Sequence, residues 1–435
     1  MRRLVLTRKK GVSFLLALSF LLLLASGFTG CGKSTPVVPE FSEETKAAFT
    51  NAVDTAFANA THKRGISVAV YKDGYKMWTY AKGFADGGAD SSIDAATGAP
   101  MTTNTPTFAY SITKTFVSAL VLTQIEHRLY SLTDTVDSLL GNNADYLSLS
   151  AGQQALINKT ATVEQLLTHT SGMLDYASNI AGMIPFGDPD NTAWKPVDIL
   201  ENIVNQPLVA PGAFNYSNTN YVLLGMIAQE KGGAPLNTLL ANTFFHKLQI
   251  AAILAPQDVF PPADIAHPYD DTAILGQTWG FVDLSILAHD LMPGPPPYDM
   301  YLGIGKSTWA AGGIIATAEN LAKWGYALYD PNGTAITASV RDTLKNSATS
   351  DGAYGYGINY HDFIYIDGTV GGTYSHGGGA PGYKSLLVYE KVKGITVAII
   401  TNVNNIADGG SGCIDQWALV EAVFNGYKKP EEFFF

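Results

Sequence analysis

The two ends of the chain carry matching patterns of helix and strand, and this pairing constrains the fold most. Ser42 can cap a helix that runs to about Ala60 and has two glutamates in its first turn. Two β-rich runs follow, Ile66 to Tyr71 and Tyr75 to Ala81, and Asp73-Gly74 between them is a strong hairpin signal. The chain is therefore predicted to start as helix, strand, strand.

The other end of the chain mirrors this order. The apolar runs from Tyr383 to Tyr389 and from Ile395 to Thr401 are typical of strands, and the segment from Ile414 to Phe424 is typical of a closing helix. The region between the two ends has mainly helical patterns. Residues 256–297 differ from it, because they hold eight of the 21 prolines, which predicts an irregular excursion outside the core.

The first 30 residues have the organisation of an export signal. Five basic residues precede an apolar run from Val12 to Ala25, which is too short to span a bilayer. The stretch Phe28-Thr29-Gly30-Cys31 is similar to the cleavage box of bacterial lipoproteins. We therefore predict a lipoprotein signal peptide over residues 1–30, a lipid on Cys31 and a linker over residues 31–42. This interpretation implies an extracytoplasmic protein that its lipid holds at a membrane of the cell envelope.

The same stretch also fits a competing motif. Residues 27–34 satisfy the phosphate-loop pattern G-x-x-x-x-G-K-[ST], whose glycine backbone binds nucleotide phosphates. A phosphate loop must follow a buried strand and open a helix, but Pro36 and Pro39 follow this one closely. The flanking sequence therefore favours the lipoprotein interpretation, and no nucleotide is predicted as a partner.

Composition argues against several classes of partner. Removal of residues 1–30 takes away five of the 27 Lys and Arg residues and none of the 38 Asp and Glu residues, which leaves a net charge of −16. Such a charge argues against nucleic acid and against broad electrostatic binding to anionic lipid. With Cys31 acylated, Cys413 has no partner and is expected to be a small buried residue. The histidines show no metal-binding spacing, so neither a metal nor a cofactor is predicted.

A serine and a lysine stand three residues apart where a helix is expected to begin. Ser111 and Lys114 lead into the apolar run from Thr115 to Ile125, so their side chains share one helix face. A serine hydroxyl is a weak nucleophile until a base removes its proton, and a lysine kept neutral by burial can be that base. On its own, S-x-x-K is equally compatible with a serine that only caps the helix.

Two further motifs follow along the chain. Tyr216-Ser217-Asn218 lies in a turn-rich approach to a helix, where a tyrosine can relay a proton and an asparagine can hold a substrate amide. His376-Gly377-Gly378-Gly379 runs into a predicted strand, and its glycines leave the amides of a strand edge open to a ligand. Each motif alone is also compatible with an ordinary packed aromatic, a helix cap or a flexible turn.

The ordered set S-x-x-K, Y-x-N and H-x-G resembles the serine β-lactamase and penicillin-recognising family. The similarity extends over about residues 43–427 and is stronger for the branch of class C β-lactamases, D-alanyl-D-alanine carboxypeptidases, D-aminopeptidases and related esterases. Residues 166–172 and 311–321 are also similar to stretches typical of that branch. The resemblance implies an α/β (α+β) fold, with an antiparallel β-sheet flanked by helices and an inserted all-helical lobe. Residues 428–435 then form a C-terminal tail.

The resemblance also implies a role for each motif residue. Ser111 is expected to be acylated, Lys114 to act as its base, and Tyr216 to carry the proton to the leaving group. The backbone amides of Ser111 and Gly379 are expected to form the oxyanion hole. The implied substrate-binding residues are Asn218, His376, Gly378 and Gly379.

Two departures from the family pattern concern the substrate. β-Lactamases of the family usually have lysine at the position of His376, and Gly377 replaces the hydroxyl residue often found next. Both changes alter the wall that meets a substrate carboxylate and leave the acylation residues intact. We therefore expect a D-alanyl-D-alanine carboxypeptidase, D-aminopeptidase-like or esterase activity on a small-molecule or peptide substrate.

Two alternatives to this activity remain open. One is a β-lactamase, and the other is a non-catalytic penicillin-binding or peptide-binding lipoprotein of the same fold. His169 belongs to a stretch that is mostly structural in the family, so it is not expected to be catalytic. Substrate specificity is expected to reside in the proline-rich excursion and the glycine-rich loop.

Overall fold

The computed structural model describes residues 38–86, 98–179, 192–204, 209–258, 265–274, 277–284, 299–405 and 409–428. The predicted signal peptide, Cys31, most of the linker and most of the C-terminal tail lie outside these residues. None of the described helices is long and apolar enough to cross a membrane.

The described helices fall mainly between the second and the eighth strand of the chain. They are α1 (Glu43–Asn59), α2 (Thr113–Glu126), α3 (Val136–Leu140), α4 (Ala144–Ser148), α5 (Ala151–Ala155), α6 (Val163–Leu167), α7 (Asn218–Gly232), α8 (Leu236–Leu240), α9 (His246–Leu248), α10 (Met300–Gly312), α11 (Ala318–Tyr329), α12 (Ala338–Asn346) and α13 (Gln416–Gly426). Short 3-10 turns cover Tyr110–Ile112, Tyr176–Ser178 and Pro196–Asn202.

The strands form one large and two small sheets. They are β1 (Gly65–Lys72), β2 (Trp78–Gly83), β3 (Thr107–Phe108), β4 (Ile253–Leu254), β5 (Tyr269–Ile274), β6 (Gln277–Asp283), β7 (Ile314–Ala316), β8 (Asn359–Ile364), β9 (Val370–Ala380), β10 (Tyr383–Glu390), β11 (Ile395–Thr401) and β12 (Val403–Asn404). The large sheet has six strands in the order β2-β1-β11-β10-β9-β8, and the small sheets have the orders β12-β5-β6 and β3-β7-β4.

The large sheet joins the two ends of the chain. Strand β1 pairs with β11 in antiparallel register from Ile66↔Thr401 to Lys72↔Ile395. The other neighbouring pairs of the large sheet are antiparallel as well. The predicted antiparallel sheet, built from strands near both ends of the chain, is therefore confirmed.

The sheet is buried on both faces, and alternate residues along each strand belong to different cores. Val68 and Val397 share a cluster with Phe49 of α1 and Phe424 of α13. Ala398, next to Val397, belongs instead to the larger core that contains α2, α7 and α11. Because full burial of one such valine stabilises the fold by about 1.5–3 kcal/mol, the two clusters hold the sheet firmly between its helical layers.

The helices predicted at the two ends of the chain are both present. The Ser42 side chain accepts from the Thr45 amide at 3.2 Å, and α1 ends before Ala60. Helix α13 starts two residues later than predicted, because the Asp415 side chain caps it by accepting from the Ala418 amide at 3.0 Å.

The helical region is inserted between β2 and β8, and α2, α7 and α10 pack against one another within it. The close approach of α7 and α10 depends on Gly225, because a Cβ atom there would lie 2.6 Å from the Cβ atom of Ala310. Strand β3 ends at Phe108 and pairs with β7, and the amide of Ala109 donates to the carbonyl of Ile314 at 2.8 Å. The small sheet therefore fixes the chain immediately before Ser111.

The predicted irregular excursion is wrong for part of its length. Within residues 256–297, β5 and β6 form an antiparallel hairpin, and β5 pairs in parallel with β12. The prolines of this region lie before Tyr269 and after Asp283, so none interrupts the hairpin itself. A proline count over the whole region does not show that the prolines are confined to its two ends, so the strands between them were missed.

Candidate active site

A sharp turn presents Ser111 at the start of α2. Tyr110 adopts a positive φ of 44°, which costs a non-glycine residue on the order of 1 kcal/mol. The Tyr110 hydroxyl donates to the carbonyl of Pro381 at 2.7 Å, and its ring packs between Phe108 and Tyr383. These contacts hold the turn, so that Ser111 stays partly exposed while the residues around it are buried.

Lys114 is fully buried beside the serine. Its Nζ atom lies 3.0 Å from Ser111 Oγ, 2.7 Å from Asn218 Oδ1 and 2.8 Å from the carbonyl oxygen of Ala311. The Asn218 and Ala311 oxygens can only accept hydrogen bonds, so they take two hydrogens of the amine. In neutral Lys114, the nitrogen lone pair is then left facing the Ser111 hydroxyl.

The environment of Lys114 favours this neutral form. Burial lowers the pKa of Lys114 to about 7, and the negative charge of Asp175 opposes the shift. A large fraction of the side chain is therefore uncharged near neutral pH. This geometry and this pKa suit a general base that removes a proton from Ser111.

Tyr216 approaches the same hydroxyl from another side. Its OH donates to Ser111 Oγ at 3.1 Å, and its ring centroid lies 5.0 Å from Lys114 Nζ. Burial raises the pKa of Tyr216, so the phenol stays protonated where Lys114 is largely neutral. Of the two groups, Lys114 is the one suited to accept the first proton, and Tyr216 is suited to donate one.

Asn218 opens α7 and links the lysine to a carboxylate. Its Nδ2 donates to Asp175 Oδ2 at 3.0 Å, and its backbone amide donates to Asp175 Oδ1 at 3.2 Å. These two bonds turn the Asn218 carbonyl towards Lys114. Both ends of the Asn218 side chain thus have partners within the protein, and its predicted role in orienting substrate stays a prediction.

The glycine-rich part of β9 lies against the turn that carries Ser111. A Cβ atom on Gly378 would lie 2.2 Å from the carbonyl oxygen of Ala109, so only glycine fits there. Ser385 of the neighbouring strand β10 donates to the same carbonyl at 2.8 Å. Gly377 and Gly379 are two residues apart on β9, so their amides point to the same edge of the strand. The oxyanion role of the Gly379 amide stays a prediction.

His376 is buried on β9 and is linked through a tyrosine to a second histidine. His376 Nε2 lies 3.1 Å from the hydroxyl of Tyr354, and that hydroxyl lies 3.2 Å from Nε2 of His169. Burial and the charge of Lys114 lower the pKa of His376 to about 3 and that of His169 to about 2. Both rings are therefore neutral at physiological pH.

The structure brings together residues from every predicted motif. Ser111, Lys114, Tyr216 and Asn218 form one hydrogen-bonded group, and His376, Gly378 and Gly379 lie on the adjacent strand. Sequence reasoning missed Asp175 and Tyr354, and it set His169 aside. The only signal for His169 was the family-like stretch over residues 166–172, and neither Asp175 nor Tyr354 belongs to a motif with recognisable spacing.

Cys413 is a free cysteine that is only half-buried, whereas the sequence predicted a buried residue. Cys413 packs beside Tyr269 and Val403, and burial raises the pKa of its thiol to about 11. The cysteine therefore stays a thiol at neutral pH. Over the described part of the chain, no group of three or more His, Cys, Asp or Glu side chains could hold a metal ion.

The fold and this group of side chains define a serine hydrolase of the β-lactamase and penicillin-binding-protein type. The sequence pattern of the Beta-lactamase family matches residues 49–421, and the chain belongs to that family.

Two curated relatives are each 25% identical to this chain. Penicillin-binding protein 4 of Amycolatopsis lactamdurans matches over 78% of this chain and 81% of its own length. PbpX of Bacillus subtilis, named as a penicillin-binding protein, matches over 58% of this chain and only 54% of its own length.

Solved structures share the fold over most of the chain. D-Amino acid amidase of Ochrobactrum anthropi SV3, complexed with D-phenylalanine, has a TM-score of 0.68 at 20% identity and covers 88% of this chain and 98% of its own. A D-stereospecific amidohydrolase of Streptomyces has a TM-score of 0.61 at 22% identity, over 88% of this chain and 99% of its own.

Proposed function

We propose that this protein hydrolyses D-configured amides or esters through an acyl-enzyme on Ser111, as a D-aminopeptidase-like enzyme. The observation that carries the proposal is the buried Lys114, whose Nζ faces Ser111 Oγ at 3.0 Å with its other two contacts on acceptor oxygens. The fold shared with D-amino acid amidase and D-stereospecific amidohydrolase supports the choice of substrate class.

Acylation begins with proton transfer from Ser111 Oγ to neutral Lys114. The serine oxygen attacks the substrate carbonyl carbon, and the carbonyl electron pair moves onto its oxygen to give a tetrahedral oxyanion. The amides of Ser111 and Gly379 stabilise this oxyanion, and one such donor is typically worth about 3–4 kcal/mol of barrier. Ser111 lies at the start of α2, where the positive end of the helix dipole also favours negative charge.

The leaving group departs with a proton from Tyr216. When the carbon–nitrogen or carbon–oxygen bond breaks, Tyr216 donates its hydroxyl proton to the leaving atom and regains one from protonated Lys114. A water molecule then attacks the acyl carbon and gives up one proton to the same pair of residues. When the bond from the acyl carbon to Ser111 Oγ breaks, the pair returns that proton to Oγ. The acid product and free Ser111 result, so the proton count closes over one turnover.

Turnover of matched enantiomers tests the substrate class. We expect release of ammonia from D-phenylalanine amide to exceed release from L-phenylalanine amide by at least about a hundredfold, because the acyl pocket is chiral. Equal rates for the two enantiomers would contradict the proposal. A stoichiometric burst without turnover would instead favour the binding lipoprotein, and faster hydrolysis of a penicillin would favour the β-lactamase.

The location is part of the proposal. The basic residues, the short apolar run and the Cys31 box at the start of the chain support export, cleavage before Cys31 and attachment to a membrane through a lipid. A substrate outside the cytoplasm, such as a D-amino-acid peptide or ester of the cell envelope, is consistent with this location.

A further inference from the structure

The protonation of His376 follows from its two contacts. His376 Nδ1 lies 2.6 Å from the carbonyl oxygen of Gly377, and a carbonyl can only accept. Nδ1 therefore carries the proton. Because the neutral ring has one N–H, Nε2 must accept the hydrogen bond that it forms with the Tyr354 hydroxyl at 3.1 Å.

The protonation of His169 follows in the same way from the other end. His169 Nδ1 faces two donors, the amide of Ser217 at 3.2 Å and the Nδ2 group of Asn220 at 3.0 Å. Nδ1 therefore accepts, and the proton sits on Nε2, which donates to the oxygen of Tyr354 at 3.2 Å. The Tyr354 hydroxyl accepts from one histidine and donates to the other.

These hydrogen bonds form one continuous line across the site. His169 donates to Tyr354, Tyr354 donates to His376, and His376 donates to the carbonyl of Gly377. The Tyr354 ring is held by packing against His169 at 4.9 Å and Phe214 at 5.6 Å between centroids. If every hydrogen bond in the line were reversed, His169 Nδ1–H would face the N–H of Ser217. The unprotonated Nδ1 of His376 would face the carbonyl oxygen of Gly377. Neither nitrogen of His376 remains available to a ligand.

We infer that Tyr354 is a positioning residue that keeps His376 uncharged and fully hydrogen-bonded, so that this wall selects substrates without a carboxylate on the leaving-group side. The selectivity against a carboxylate rests on the proposed function, whereas the uncharged, hydrogen-bonded state of His376 does not. A neutral ring with both nitrogens occupied cannot pair with a carboxylate, whereas an amide or ester leaving group requires no cation. The inference favours aminopeptidase, amidase or esterase chemistry over carboxypeptidase chemistry.

The groups around His376 reinforce this state. The hydroxyl of Tyr354, before β8, contacts His376 directly, and Lys114 on α2 acts on it through its charge. His169, after α6, lies on the other side of the Tyr354 hydroxyl and interacts with His376 electrostatically. Burial and the charge of Lys114 both oppose protonation of the imidazole. The Tyr354 hydroxyl donates to Nε2 of His376 and so favours the tautomer with the proton on Nδ1.

NMR of the histidine rings tests the hydrogen-bonded line without any substrate. Protein labelled with ¹⁵N-histidine is measured between about pH 5 and pH 8, and His376→Gln assigns the signal. We expect wild-type His376 to show a protonated Nδ1 throughout this range. Tyr354→Phe keeps the ring and removes the hydroxyl, so the Nε2 signal is expected to shift and the ring to begin sampling the other tautomer.

Tyr356→Phe is the matched control. Tyr356 lies on the same loop, and its hydroxyl donates to Glu164 at 2.7 Å without touching either histidine. The control is expected to leave the His376 signal unchanged. A protonated Nε2 or an imidazolium in the wild type, or an unchanged signal in Tyr354→Phe, would overturn the inference.

Kinetics with a matched substrate pair test selectivity. D-Alanyl-D-alanine and its C-terminal N,N-dimethylamide share the scissile bond and differ in the carboxylate, and both reactions are followed by loss of the intact substrate. We expect kcat/KM to favour the dimethylamide on the order of tenfold in the wild type and in Tyr356→Phe, and clearly less in Tyr354→Phe. His376→Lys, which adds a cation, is expected to reverse the preference.

The two tests separate two kinds of failure. If the wild type turns over neither substrate, the proposed function fails, while the NMR result still decides the state of His376. If the wild type prefers the free acid although His376 is neutral, the inference about selectivity fails and the serine hydrolase mechanism stands.

Discussion

At the scale of single residues, the ionisation of Lys114 is expected to set the pH range in which the proposed enzyme is active. Only the neutral amine can take the proton of Ser111, and burial lowers the pKa of Lys114 to about 7. The rate constant kcat/KM is therefore expected to rise with pH through about 7, because the base form increases across that range. In the proposed mechanism, burial is what makes Lys114 a base near neutral pH.

Asp175→Asn tests the electrostatic control of Lys114. The charge of Asp175 raises the pKa of the lysine, so its removal is expected to move the rising limb of the pH profile of kcat/KM to lower pH. The change also weakens the hydrogen bond that orients Asn218, which we expect to cost about 1 kcal/mol of barrier, or roughly fivefold in rate. The profile is measured with an amide substrate.

Asp145→Asn removes the same charge elsewhere and serves as the control. Asp145 forms a surface ion pair with Lys195 at 2.6 Å, so its loss is expected to leave the profile in place. A limb that stays fixed or moves to higher pH in Asp175→Asn would show that another group, and not Lys114, is the base.

At the scale of elements, the approach of β9 to the turn before Ser111 sets the width of the site. Gly378→Ala would place a Cβ atom 2.2 Å from the Ala109 carbonyl oxygen and 2.4 Å from Ser385 Oγ. We expect this change to lower the free energy of unfolding by about 1–3 kcal/mol and to reduce activity, because β9 must move away from the serine turn. Thermal unfolding and kcat/KM are the two measurements.

Gly377→Ala is the neighbouring control for folding. The nearest atom to a Cβ there is the Ser385 carbonyl oxygen at 3.8 Å, which is ordinary contact. Its unfolding temperature is expected to stay near that of the wild type. Equal unfolding temperatures for Gly378→Ala and Gly377→Ala would mean that β9 is not held tightly against the turn.

At the scale of the whole molecule, the start of the chain is predicted to determine where the enzyme is retained. Cys31→Ser removes the thiol that would carry the lipid, so the precursor is expected to remain uncleaved and to lose incorporation of labelled fatty acid. Intact mass and detergent partitioning of the expressed protein are the measurements. Efficient cleavage and membrane retention of the Cys31→Ser protein would exclude the lipoprotein interpretation.

The sequence alone predicted much of the molecule, because local patterns act over short distances. Strands β1 and β11 form from the apolar runs that predicted them, and the side chain of the predicted cap Ser42 accepts a hydrogen bond from the Thr45 amide. The β5–β6 hairpin was not predicted, because the many prolines on both sides of it made the whole region read as irregular. Its partner β12 is far away in the chain.

The site was predictable where spacing along one element carries the chemistry and not where the fold supplies it. Ser111 and Lys114 share a helix start, so their contact follows from sequence. Asp175 and Tyr354 act through residues that only the packed tertiary structure brings to them. A carboxylate or tyrosine in a loop has no local signature of such a contact.

Intact-protein mass spectrometry is the measurement that tests the central claim most directly. The soluble domain and its Ser111→Ala variant are each mixed with a fluorescent penicillin and with a D-amino acid ester, and the adducts are mapped by peptide sequencing. In wild-type protein quenched with acid during turnover of the ester, we predict a covalent adduct on Ser111 together with accumulating product, and neither in the folded variant. An adduct on another residue, or turnover that persists unchanged in Ser111→Ala, would contradict the account.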